Sequence, residues 1–161
     1  QQHFTQNDAS VYALVKYIHQ LNHVFITGQY RVGVNQLHEL EAHLDANTYS
    51  WDANRTIVFY YKIACVYFGA DNYSRCIDYL NKIINTPIAD IRTDIQCFAR
   101  ILNLIAHFEL GNQLLISYQQ SFIDIQCINT SWAFQFMEEN TNAVIHTCYF
   151  IPLTTVFFKL T

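Results

Sequence analysis

His19 and His23 stand four residues apart in the stretch KYIHQLNHV. At that spacing two imidazoles share one face of a helix and can supply half of a metal site. No third ligand follows at a recognisable spacing, and both histidines lie on a polar stripe with Lys16 and Thr27. The sequence therefore predicts solvated side chains there and no metal centre. The segment His38-Glu39-Leu40-Glu41-Ala42-His43 approaches a His-Glu-x-x-His pattern, but its second histidine comes five residues after the first. That count turns it off the shared helical face, and the metalloprotease reading is rejected.

A third set of polar residues is Gln96, Arg100, Asn103 and His107, at intervals of four, three and four. One face of a helix would carry all of them. They read either as a groove that hydrogen-bonds a peptide backbone or carboxylate, with Arg100 as the charged anchor, or as a solvated outer stripe. The stripe is the preferred reading. Nearby Asp90, Arg92 and Asp94 suit a helix N-terminus, where carboxylates cap amides and oppose the dipole. Glu138 and Glu139 are adjacent, so on a helix they would point about 100° apart and share no substrate. Serine nucleophile arrangements and glycine-rich phosphate loops are missing, and no enzyme activity or cofactor is expected.

The elements that must position these residues are helices. The 161 residues include only four glycines and two prolines, few for an all-β chain. One domain with a sizeable core is expected. The net charge is −4 with no run of lysine or arginine, which excludes a nucleic-acid footprint. Five widely spaced cysteines without a Cys-x-x-Cys pair fit buried reduced thiols and a cytoplasmic location. The chain opens at Gln1 and its one methionine is Met137, which suggests a fragment of a longer protein; no signal peptide is visible.

Residues 60–85 read YYKIACVYFGADNYSRCIDYLNKIIN. Tyr60, Ile63, Ala64 and Tyr67 mark one face of a helix, and between Ile57 and Phe68 only Lys62 is charged, so this helix is packed on several sides. After a short break follows an amphipathic helix with Ser74, Asp78, Asn81 and Asn85 on its polar side. A break that short makes the two antiparallel neighbours. The layout occurs before, over residues 11–47, and after, where residues 95–110 form a helix broken at Gly111 and an apolar segment starts at Leu114. The breaks at Tyr30, Tyr73 and Gln113 recur with a period near 40, the mark of stacked helical hairpins.

These residues resemble the tetratricopeptide (TPR) repeat, which places an aromatic, a Leu, a small residue and a Tyr on its first helix. The middle hairpin offers Tyr60, Ile63, Ala64 and Tyr67, then Tyr73, Cys76 and Leu80; the first offers Tyr17, Leu21, Val24, Gly28, Tyr30, Gly33 and Leu37. Segments such as DIRTDIQCFARILNLIAHFELGN also resemble a group of uncharacterised bacterial TPR-like proteins. The resemblance implies an all-α superhelix (solenoid) of about three hairpins, at 11–47, 54–86 and 91–128. It also implies a concave groove lined by Val15, Ile18, Asn22 and Phe25 from the first hairpin and Val58, Tyr61, Cys65 and Phe68 from the second.

From Leu114 onward the only charged residues are Asp124, Glu138, Glu139 and Lys159, and the resemblance ends. Residues 129–161 read as a C-terminal cap or an oligomer contact; His146, Pro152 and Lys159 argue against a membrane span. The function expected is a protein-interaction scaffold holding a peptide or partner helix. The alternative is a structural or dimerising, homo-oligomer-forming part of a larger regulatory protein.

Overall fold

Thr5 opens the first helix with a capping box. Its hydroxyl accepts from the Asp8 amide while the Asp8 carboxylate accepts from the Thr5 amide, so two otherwise orphaned donors are satisfied. The computed structural model describes residues 5–86 and 93–112, which form five α-helices and, among the described residues, no strand. They are α1 (Gln6–Thr27), α2 (Tyr30–Asp45), α3 (Ala53–Gly69), α4 (Tyr73–Ile84) and α5 (Thr93–Glu109). Among the described residues the all-α expectation holds. The first helix starts five residues earlier than its apolar pattern at Val11 suggests, because the capping box extends it.

Each break has a local cause. Gly28 ends α1 in the left-handed region (φ 66°), the conformation an L side chain avoids. Asp52 caps α3 by accepting from the Arg55 amide at 2.9 Å, and Asn72 caps α4 by accepting from the Arg75 amide at 3.3 Å.

The third helix is the hub: α3 packs against α1, α2, α4 and α5, while α1 packs against α2 and α3. Every residue from Ile57 to Phe68 except half-buried Tyr60 is buried, which explains a sequence with almost no polar face. Close approach depends on absent side chains. A Cβ at Gly33 would lie 2.6 Å from a methyl of Val24, and one at Gly69 would lie 2.5 Å from the Tyr30 ring. Gly33 thus lets α2 close on α1, and Gly69 admits the ring that opens α2.

Cys65 and Cys76 are buried reduced thiols, whereas Cys97 is bonded in a disulfide. The expectation of reduced thiols therefore fails at Cys97, and with it the support that cysteine usage gave to a cytoplasmic location. Linear spacing could not reveal that bond, because pairing depends on separation in the fold. No helix among the described residues is long and apolar enough to cross a membrane. The second half of the third hairpin, the segment 129–161, Asp90, Arg92, and the pair Glu138 and Glu139 lie outside the described residues, while Asp94 falls in the first turn of α5.

Candidate functional site

Residues at spacings of four, three, four and four return to one face of a helix, and on α1 those positions hold Val11, Val15, Ile18, Asn22 and Ile26. Three of them are large apolar side chains open to solvent: Val11 is 53% exposed, Val15 48% and Ile26 70%. Ile18 and Asn22 are half-buried, and exposed Tyr12 flanks the line. The stripe runs beside the face of α1 that packs against α2 and α3, with Ile18 against the core and Asn22 bonded to α3 while Val11, Val15 and Ile26 face solvent. A salt bridge also joins the helix to α2, with Lys16 reaching Glu39 at 2.8 Å.

Of the nine groove positions, the structure leaves Val15, Ile18 and Asn22 together on this face. Phe25, Val58, Tyr61, Cys65 and Phe68 are buried in the core, and Arg100 is half-buried on α5. Phe25 is a buried residue of α1 itself, and the other four belong to α3, against which α1 packs.

Beneath the stripe sits Lys62, only 2% exposed. Its ammonium donates to Asn22 Oδ1 at 2.9 Å and lies 5.5 Å from the centre of the Phe25 ring. Burial penalises the charged form and lowers its pKa to about 8. The single polar side chain near the middle of the apolar stripe is therefore anchored from below by a cation.

A second polar cluster joins α2, α3 and α4. Glu41 is buried, and one of its oxygens accepts from Tyr67 Oη at 2.7 Å and Tyr79 Oη at 2.9 Å, with Arg75 Nη2 at 3.5 Å. The Arg75 guanidinium also lies over both phenol rings, 5.5 and 5.7 Å from their centres. Burial, then the hydrogen bond to Glu41, raises the pKa of both tyrosines. Fully partnered in this way, the carboxylate is a tie between three helices. The sequence reading missed it. The available signal was position, since Glu41 follows Leu37 by four residues and so shares its apolar face.

The polar line of α5 differs from the solvated stripe that was preferred. Gln96 and Asn103 are buried, and Arg100 and His107 are half-buried. Gln96 Nε2 donates to the carbonyls of Ile83 and Thr86, both at 3.4 Å, satisfying acceptors left over where α4 ends. Arg100 donates to Gln96 Oε1 at 3.5 Å and Asn103 to Asn81 at 3.4 Å, while Asn103 Oδ1 has no hydrogen-bond partner among the described residues. Burial lowers the pKa of Arg100 and of His107. Gln96 and Asn103 face inward, where the carbonyls at the end of α4 and the Asn81 side chain meet them.

The histidine pairs form no metal cage. His19 and His23 are exposed, and His38 and His43 face different carboxylates, Glu41 and Glu39, each at 3.9 Å. Among the described residues no three or more His, Cys, Asp or Glu side chains gather to hold a metal ion. No family model matches the chain, and no curated protein or solved structure is significantly similar to it.

Proposed function

We propose that this chain is a protein-binding scaffold that docks an amphipathic helical segment of a partner along this stripe of α1. The observation that carries this reading is the run of exposed apolar side chains at Val11, Val15 and Ile26 on a helix whose neighbouring face is firmly packed. From Val11 to Ile26 the stripe is about 22 Å long, enough for four turns of a partner helix. A TPR-like solenoid is the architecture in which we place it. Packing of α3 against the helices before and after it, and the repeat period near 40, support that arrangement. The alternative, a structural or dimerising part of a larger regulator, rests on residues 114–161, outside the described residues.

A photo-crosslinking amino acid introduced at Gln20, beside the stripe, would be activated in a native lysate and the adducts read by mass spectrometry. A partner captured by the otherwise unaltered chain and lost from the Val15→Asp, Ile26→Asp double variant is the expected result. Capture of a partner that survives both substitutions would remove α1 from the reading. Adducts containing only this chain would favour self-assembly.

A further inference from the structure

An ammonium has three donors and no acceptor. Lys62 therefore dictates which end of the Asn22 amide it meets: the oxygen, at 2.9 Å, must point inward. The amide nitrogen, on the other arm of the same planar group, makes no hydrogen bond among the described residues. The ordinary ambiguity between amide oxygen and nitrogen does not arise here, because the reversed amide would set two donors against each other. Asn22 sits half-buried between Ile18 and Ile26 on the stripe, so its two N–H donors are left unpaired beside otherwise apolar side chains.

Resting on the docking role of α1, we infer that Asn22 is its specificity-determining residue, with Lys62 as the residue that positions it. Together they select a partner helix carrying one hydrogen-bond acceptor side chain, a carboxylate or carboxamide oxygen, among its apolar anchors. A partner helix has its own backbone carbonyls engaged internally, so a side chain must supply the acceptor. A helix that places an apolar residue opposite Asn22 strips water from both donors and returns nothing, which weakens binding about tenfold or more. The cation under the amide adds charge complementarity, because a partner carboxylate approaches the positive Lys62.

The test is a phage-displayed library of amphipathic helical peptides, selected in parallel on the full chain and on three variants. Circular dichroism and thermal melting would confirm that each variant folds. Val15→Asp checks the docking surface itself. Asn22→Asp keeps an oxygen for Lys62 but replaces the unpaired donors by an acceptor, and Lys62→Met frees the amide to turn over.

Peptides selected on the unaltered chain should carry Asp, Glu, Asn or Gln at one fixed place among apolar residues. Those selected on Asn22→Asp should carry a donor, Lys, Arg or Gln, at that place instead. On Lys62→Met the preference for acceptor over donor should fall about tenfold, to near parity. Peptides lost on Val15→Asp yet indifferent to Asn22→Asp would overturn the inference and leave the docking surface standing. A library without binders, or with binders indifferent to Val15→Asp, would overturn both.

Discussion

An ammonium group set in an apolar interior must find acceptors or lose its proton, and Lys62 does some of each. Its acceptor among the described residues is Asn22 Oδ1, and burial brings its pKa to about 8 from an ordinary value of 10.5. The native state therefore holds this proton less tightly than the unfolded chain does. Between about pH 8 and 10.5 the unfolded chain binds more protons, so this group makes stability rise with pH across that window, by ~3 kcal/mol at most. The tyrosines act in the opposite direction. Tyr17, Tyr67 and Tyr79 have raised pKa values, chiefly from burial, so above pH 10 the unfolded chain loses protons that the native state keeps. Denaturant unfolding measured from pH 7 to 11 should show stability climbing past pH 8 and declining above pH 10. In Lys62→Met the climb should vanish; a climb that persists would assign it to another group.

Glu41 poses the reverse problem, a buried anion with its partners in place. Glu41→Ala would strand two phenol hydroxyls and leave Arg75 without a buried carboxylate, costing about 3 kcal/mol. Glu41→Gln keeps an acceptor oxygen and should cost about half as much. A double-mutant cycle with Tyr79→Phe, followed by chemical denaturation, measures the coupling; simple additivity would mean that the hydrogen bond contributes nothing.

At the scale of the helices, the contacts that matter are those where no side chain fits. Gly33→Ala would drive a Cβ to 2.6 Å from Val24 and should destabilise by about 2 kcal/mol through strain between α1 and α2. Gly28→Ala meets open space and strains only the left-handed turn, at about 1 kcal/mol. Thermal melting of the two variants would show whether Gly33 is the more damaging site. The α4–α5 contact offers a sharper contrast. Gln96→Leu removes the donors that satisfy the end of α4 and should lower stability by about 1 kcal/mol. Asn103→Leu deletes a buried amide whose oxygen has no partner among the described residues, and should be neutral or stabilising. Equal losses in both variants would refute this account.

The helices and their breaks were legible in sequence because their causes are local. Gly28, Asp52 and Asn72 each act within a turn of themselves, and the apolar faces repeat at helical spacing. The site was legible only in part. The TPR resemblance, and not spacing alone, implies Val15, Ile18 and Asn22 as groove positions, and whether that face lies open depends on what packs against it. Phe25, Val58, Tyr61, Cys65 and Phe68 are implied by the same resemblance and are buried. The α5 polar line misled for a related reason: a hydrophilic stripe signals solvent only where the neighbouring helix lacks polar groups to answer it.

For the molecule as a whole, the packing predicts an ordering of local stability. With four neighbours, α3 should hold the slowest-exchanging amides, and the first turns of α1, exposed at Gln6, Asn7 and Asp8, the fastest. Native-state hydrogen exchange resolved by residue would check this, and an α1 start as well protected as α3 would contradict it. The same burial has another side before the chain has folded. During synthesis α3 leaves the ribosome as IVFYYKIACVYF, a stretch able to pair with its own kind in neighbouring nascent chains, until α4 and α5 emerge to cover it. Lys62 is the sole charge in that stretch and acts there as a gatekeeper against aggregation. The lysine that costs the native state stability thus protects the route to it, and Lys62→Met should give a more stable protein in lower soluble yield.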